Sequence, residues 1–520
     1  MRIKKALKNI FYSLGSYVLL MVAGIFIRKL FIMHFDIELL GYESLFGSVF
    51  IILSMAEMGA GGMFNYMLYR AVAEHDDHEI STLMQMFKQL YRVVGVVVAV
   101  LGCILFLFLP LFVNPDVENW NYVCIVYWIQ LATTLTTYFL AYRRSILIAN
   151  QCEYEVVKVE TNFKMLNMVL RIGAIVLLQS YTVYLLISVF CNVLANFQIW
   201  RLCGKKYPNI KNVPIGLQDY QKRGVFTELK NLLISKISST IWSSSDNILI
   251  NAFLGIRITA IYGGYTMIYS AVNTVVSKCT QPMVASVGNL MYEKPDKNRI
   301  KQFYEAYNLF CGFAATFCFV AFIVMFQPFL EFVYGKEYLL PMAFVVALSA
   351  NGYAGIKQQA ICAFRNSMGN YRLDRNYSIC SAALNVLLSI LLAGPFGITG
   401  ITVATVVAHM VIWLGRLIVV HRHYFGESLF SEITKETVWI ILAAFEGGVV
   451  LWICTDLSAS VSGIILRGIA CVVIPNLINL ALFFHTASFQ YMWHYAKKTF
   501  CTLGGKLKEK QVEQLRQHRK

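Results

Sequence analysis

Four polar residues inside an otherwise apolar stretch carry the first visible chemistry: Glu160, Lys164, Asn167 and Arg171, spaced by four, three and four. At about 100° per residue they fall within roughly 60° of one another on one helical face. Val157, Met165, Met168 and Ile172 occupy the opposite face. Glu160 and Lys164 are placed to pair at i,i+4. Ionisable groups at membrane depth are costly and mark function by default. The stripe therefore reads either as a polar seam between helices or as the wall of a water-filled lumen. A second stripe lies in Lys236-Ile-Ser-Ser-Thr-Ile-Trp-Ser-Ser-Ser-Asp-Asn247, where Lys236, Ser239, Ser243 and Asp246 share a face. Asp246 sits about 15 Å along the helix from Lys236, too far to pair with it. Each needs a partner on another helix, a water or a ligand.

Other polar positions support two readings each. Arg28 and Lys29, near the outer end of the first span, either snorkel or face the lumen. Glu57 precedes Gly59-Ala-Gly-Gly62, which either packs closely against a helix or unwinds to free backbone groups for an ion or substrate. Lys357, with Gln358 and Gln359, is a further lumen candidate. Arg143 and Arg365 lie at the inner boundary, as topological arginines or as substrate contacts. Arg28, Arg143, Lys164, Asn167, Arg171, Lys236, Ser243, Lys357 and Arg365 are thus the candidate substrate-binding set. Glu57, Glu160 and Asp246 are the candidates for ion coupling.

Enzyme signatures are missing: the sequence has no Walker A motif, no GxSxG, no HExxH and no dinucleotide fingerprint. His75 and His78, in Glu74-His-Asp-Asp-His78, read as a solvated loop in preference to a metal site. No catalytic residue, metal ligand or cofactor is assigned. Without a nucleotide-binding domain, driven transport would draw on an ion gradient (Na+ or H+), the membrane potential or product removal.

The elements that must hold these residues follow from composition. Of 520 residues, 58% are hydrophobic and only 14% charged, against roughly 45–50% and about 25% in soluble proteins. Apolar runs are continuous over about 18–25 residues, the length of a helix crossing the hydrocarbon core. Barrel strands would alternate instead. The thirteen cysteines include no CxxC pair and read as small polarizable core residues. The charge of +16 comes with no nucleic-acid motif. The basic start, Met1 to Lys8, precedes an apolar stretch too long for a signal peptide, so it reads as an uncleaved first span.

About fourteen spans result, near 10–33, 40–66, 90–113, 121–142, 156–178, 181–202, 231–254, 258–283, 303–327, 340–362, 377–394, 398–420, 437–454 and 463–484. Lys and Arg concentrate in alternate loops. Lys205, Lys206, Lys211, Lys222 and Arg223 share one, whereas Gln179–Ser180 and Gly394–Gly397 are short and lack cations. The positive-inside rule then puts both termini in the cytoplasm. The loop near 203–229, with Gly204, Pro208 and Pro214, reads as a linker. Ala141-Tyr-Arg-Arg-Ser145 recurs as Ala363-Phe-Arg-Asn-Ser367, and Gly41 matches Gly263 at the same spacing of 222. The expected organisation is all-α: a six-helix bundle over 1–203, a cytoplasmic linker over 204–229 and a second bundle over 230–425. The bundles are related by a pseudo-two-fold axis along the membrane normal. Two extra helices over 426–486 and a basic tail over 487–520 follow, the tail being either solvated or laid on anionic lipid.

Leu40-Gly-Tyr-Glu-Ser-Leu-Phe-Gly-Ser-Val-Phe-Ile-Ile-Leu-Ser-Met-Ala-Glu-Met-Gly-Ala-Gly61 resembles the first outer loop and second helix of a known family. Ser245-Asp-Asn-Ile-Leu-Ile-Asn251, Ala285-Ser-Val-Gly-Asn289 and Phe364-Arg-Asn-Ser-Met-Gly-Asn370 extend the resemblance over about 5–425. The family is the polysaccharide-transporter (Wzx-like) branch of the multidrug/oligosaccharidyl-lipid/polysaccharide flippase superfamily. The resemblance implies two six-helix bundles around a cationic cavity in the bacterial cytoplasmic membrane. It also implies a non-enzymatic flippase that carries an undecaprenyl-pyrophosphate oligosaccharide from inner to outer leaflet by alternating access. Contact with a polysaccharide polymerase or glycosyltransferases would follow from such a role. A cationic stripe suits a diphosphate anion, arginine by its fork of donors and lysine as a compact charge. The rival readings are a cation-coupled multidrug or toxin exporter of the same superfamily, translocation of a peptidoglycan precursor, and a membrane-embedded glycan polymerase or ligase. The last usually needs a large outer loop, and every outer segment here is short.

Overall fold

A computed structural model of the chain describes residues 2–54, 60–113, 120–210, 213–216, 219–220, 225, 240, 244–292, 296–367, 375–426, 428–494 and 497. Among these, every regular element is a helix. In chain order they are α1 (Arg2–His34), α2 (Glu38–Leu53), α3 (Ala60–Glu74), α4 (Asp77–Leu107), α5 (Leu109–Phe112), α6 (Trp120–Leu140), α7 (Arg144–Ala149), α8 (Glu153–Val176) and α9 (Tyr181–Lys206). Then come α10 over 244–254, α11 (Ile256–Tyr292), α12 (Lys297–Tyr334), α13 (Met342–Lys357), α14 (Gln359–Ser367), α15 (Arg375–Val420), α16 (Leu429–Ile453) and α17 (Val461–Phe483). By length and composition, seven described helical segments are clearly able to cross a membrane: Gly15–His34, Asp77–Leu107, Tyr181–Lys206, Lys297–Tyr334, Arg375–Val420, Leu429–Ile453 and Val461–Phe483.

Four expected spans depart from one helix each. The second covers α2 and α3, with 55–59 outside the described residues. The tenth breaks at Gln358, between α13 and α14. The eleventh and twelfth are two helices that meet inside α15 at Gly397 (φ 57°, ψ −138°), just after Pro395. A left-handed backbone there is available to glycine at no steric cost. The Glu74–His78 turn is a helix start: Asp76 caps α4 by accepting from the His78 and Glu79 backbone amides at 3.0 and 2.9 Å.

The chain forms two compact units. The first holds Met1–Val275, Val333–Phe344 and Ser378–Ala408; the second holds Val276–Phe332, Val345–Tyr377 and His409–Lys520. Within the first, Phe64, Leu83, Met86, Phe87, Tyr138, Ile146, Leu147 and Ile199 belong to one buried cluster, with Phe64 stacked on Phe87 at 4.6 Å. On α4, Val94 and Val98 turn inward while Val93, Val97 and Val100 face outward. Apolar side chains on both faces are what a lipid-solvated helix requires. At the N-terminal ends of α2 and α11, the backbones nearly touch. A Cβ on Gly41 would lie 2.5 Å from the Ile256 carbonyl oxygen, and one on Gly263 would lie 3.1 Å from Ser44 Oγ. Gly41→Val is therefore expected to cost about 1–3 kcal/mol through overpacking, seen as a lower thermal-unfolding midpoint in detergent. Gly47→Val, where a Cβ meets nothing within 4 Å, should leave that midpoint nearly unchanged.

In the second unit, α16 packs on α12 where Trp439 lies over Gly312, too close for a Cβ. Trp439 also stacks on Phe483 of α17 (4.6 Å, 6°). Arg467 of α17 donates to the Ser458, Leu457 and Cys454 carbonyls. These carbonyls lie in the turn between α16 and α17, where helix-end carbonyls lack intrahelical donors; that of Cys454 also accepts from the Leu457 amide at 3.3 Å.

Candidate functional site

The polar stripe of α8 meets α1, α2, α9 and α11 inside the first unit, around a cavity of about 470 Å3. Tyr17, Arg28, Glu43, Lys164, Asn167, Arg171, Tyr184 and Met267 are among its walls. Three cations and one acid thus face one space. Arg171 Nη2 lies 3.5 Å from Glu43 Oε1, its Nε donates to the Tyr184 carbonyl at 3.3 Å, and its guanidinium sits 3.9 Å from the Tyr184 ring centroid. Cation–π contact of this kind holds a guanidinium flat while leaving its edge available. Arg28 approaches from α1: Nη2 donates to the Ala260 carbonyl at 2.5 Å, and the group lies 5.9 Å from the Tyr334 ring centroid. Gly263 and Gly264 make room for it, since a Cβ on either would fall within 3.3–3.8 Å of its guanidinium atoms. Asn167 donates to Ser188 Oγ at 3.3 Å. Lys164 is largely exposed and lies 3.9 Å from Glu160.

Glu160 is bracketed by two cations, Lys164 and, at 3.6 Å, Arg144. The Lys164 partner is the one that the i,i+4 spacing pointed to; Arg144 is a second. Arg143 lies over the Trp200 ring at 4.4 Å and donates to the Trp200 carbonyl at 3.3 Å. It borders a separate cavity of about 250 Å3 with Ser81, Gln85, Gly204 and Tyr207. Arg365 ends α14 and donates to Asn366 Oδ1 at 2.8 Å. Lys357 is 1% exposed and bonded to Glu436 Oε1 and Asn308 Oδ1 at 2.8 and 2.7 Å. Glu57, Lys236 and Ser243 lie outside the described residues.

Asp246 anchors a second cluster of the first unit. It accepts from Tyr262 Oη and Thr405 Oγ1, each at 3.2 Å. Beside it, Ser245 Oγ donates to Asn385 Oδ1 at 3.1 Å and Asn385 Nδ2 donates to Thr405 Oγ1 at 3.0 Å. One turn beyond Asn385, the buried Ser389 hydroxyl has no partner among the described residues. Asp246 forms no ion pair with a described residue. One carboxylate amid side-chain oxygens is a donor set that suits a hard monovalent cation or a proton.

Sequence reasoning passed over Glu43, Tyr184, Tyr334, Asn385 and Thr405. Glu43 was within reach, as an acid two residues past Gly41 in a mostly apolar helix. The tyrosines and Thr405 gave no signal, because such residues are ordinary in membrane helices.

No family model matches the sequence, and no curated relative matches it. Solved structures do. The lipid II flippase MurJ in an inward closed conformation is similar over 91% of this chain and 99% of its own, with a TM-score of 0.69 at 12% identity. The chain shares the fold of that structure. A mutant of the Vibrio cholerae MATE transporter VcmN is similar over 82% of this chain and 98% of its own (TM-score 0.54, 15% identity). An inward-facing multidrug resistance MATE family transporter of the MOP superfamily is similar over 77% and 92% (TM-score 0.53, 15% identity). These neighbours are transporters and flippases, not enzymes, and the chain is a multi-pass membrane protein with their helical architecture.

Proposed function

We propose that the protein is a flippase for a lipid-linked oligosaccharide on an undecaprenyl-pyrophosphate carrier, moving it from the inner to the outer leaflet of the bacterial cytoplasmic membrane by alternating access. The observation that carries this reading is the cavity bordered by Arg28, Lys164 and Arg171 with a single acid, Glu43. A diphosphate takes paired donors from a guanidinium, and a net positive wall offsets its charge in a low-dielectric setting. The sugar would find hydrogen-bonding groups in Asn167, Tyr17 and Tyr184, on walls that Leu20, Met21, Ile27 and Met168 make otherwise largely apolar. Similarity in fold to a lipid II flippase agrees with a lipid-diphosphate cargo. Asp246, with Thr405, Tyr262 and Asn385, is the proposed Na+ or H+ site. Lys357 is left out of the path because Glu436 takes up its charge.

The exporter reading draws on the two MATE neighbours, yet a cation-lined cavity disfavours the cationic cargo typical of such a role. Deleting the gene and following lipid-linked glycans separates the two. Accumulation of a diphosphate-linked glycan on the inner leaflet supports the flippase, whereas drug sensitivity without accumulation overturns it. Arg171→Ala and Lys236→Ala at normal protein level should reduce export at least tenfold. Asp246→Asn should remove dependence on a Na+ or pH gradient. Full activity in all three would sink the site assignment.

A further inference from the structure

Three glutamates of α16 are buried: Glu432, Glu436 and Glu446. The first two have cationic or ionisable neighbours. Glu432 lies near Lys435 and His421, and Glu436 is paired with Lys357. Glu446 has neither. It is 0% exposed, near the middle of an apolar helix, and its one side-chain partner is Asn479 of α17, itself 1% exposed. Asn479 Nδ2 donates to Glu446 Oε2 at 3.3 Å. The two remaining oxygens, Glu446 Oε1 and Asn479 Oδ1, are both buried without a hydrogen-bond partner among the described residues.

Two stranded acceptors beside one donated bond are the arrangement that a single added proton completes. A neutral carboxylic acid donates its O–H where a carboxylate can only accept. With a proton on Glu446 Oε1, the acid donates to the amide oxygen while the amide donates to the other acid oxygen. An ionised Glu446 would instead leave an uncompensated charge in hydrocarbon surroundings, which costs far more than holding the proton.

We propose that Glu446 is a proton-binding site, holding one proton in the folded protein and closing a cyclic acid–amide pair with Asn479 that pins α16 to α17. The charged and titratable groups around it are otherwise engaged. On α17, Arg467 is bonded to the Ser458, Leu457 and Cys454 carbonyls, and Cys471 is buried with Cys454 against Val320, Val324 and Val450. On α12, Phe319 and Ile323 approach at Gly447. On α16, Glu436 is ten residues away and spent on Lys357. The site belongs to the α16–α17 pair of the second unit, whereas the residues of the proposed translocation cavity belong to the first.

The sign of the pH effect follows from proton counting. The folded state keeps a proton that the unfolded chain releases above the ordinary carboxyl range, so stability falls as pH rises. The test uses the full chain in lipid vesicles and compares wild type with Glu446→Gln, an isostere that is neutral at every pH. Infrared difference spectra at neutral pH should show a carboxylic-acid C=O band in wild type that Glu446→Gln lacks. Thermal midpoints of the two should agree at acid pH and part as pH rises, with wild type falling below the variant. Absence of the band, or parallel midpoints across pH, overturns the proposal. If Glu446→Gln does not accumulate, Asn479→Leu decides the matter, because losing the amide should shift the band to that of an unpartnered acid. An unshifted band there also overturns it.

Discussion

Arg28→Ala is expected to slow translocation roughly 100-fold at unchanged protein level. That corresponds to about 3 kcal/mol, the upper range for a charge-assisted hydrogen bond. Arg28 does two things at once. It contributes a guanidinium to the cavity that also holds Arg171 and Lys164, and it bonds the Ala260 carbonyl of α11 from α1. Alanine removes both, leaving Glu43 opposite Arg171 with one cation fewer in the space. Arg28→Lys separates the two roles, since lysine keeps the charge but loses the planar fork. Rates in proteoliposomes loaded with a lipid-linked diphosphate glycan should rank wild type above Arg28→Lys above Arg28→Ala. Equal rates for the lysine variant and wild type would assign Arg28 a charge role alone.

The second large effect concerns stability. Lys357 Nζ lies 2.8 Å from Glu436 with side chains 0% and 7% exposed, and Asn308 bridges them by donating to Glu436 at 2.8 Å. Removing one charge strands the other in the interior, at about 3–5 kcal/mol. Lys357→Met alone and Glu436→Leu alone should each lower the thermal midpoint sharply. Replacing both removes the charge problem but leaves the half-buried Asn308 amide without these two partners, at about 1 kcal/mol. The triple variant with Asn308→Leu should therefore recover most of the wild-type midpoint, as apolar replacement of buried ion pairs often does. Loss of transport in Lys357→Met with an unchanged midpoint would return Lys357 to the translocation path.

The contrast between Lys164 and Lys357 shows where reading along the chain reaches its limit. Both are lysines in apolar stretches, flanked by amides or polar groups. Lys164 repeats with Asn167 and Arg171 at helical spacing, so its face follows from the 3.6-residue period, and the cavity is on that face. Lys357 has no such register to speak for it, and its partner lies 79 residues onward, on α16. The same applies to Asp246, whose stripe was visible but whose Thr405 partner is 159 residues away. Arg28 and Ala260 are separated by 232 residues.

Helix type, span length and loop charge are local quantities, and lipid enforces them strictly. A backbone in hydrocarbon must satisfy its hydrogen bonds within each segment, so α4, α9, α12, α16 and α17 were readable from apolar runs alone. Helix-to-helix packing in lipid is different, because apolar side chains gain little by choosing one neighbour over another. Which charge on one helix meets which partner on another therefore left no pattern in the sequence. The tertiary structure alone decided that Arg171 meets Glu43, that Glu436 neutralises Lys357, and that Glu446 is left with an amide.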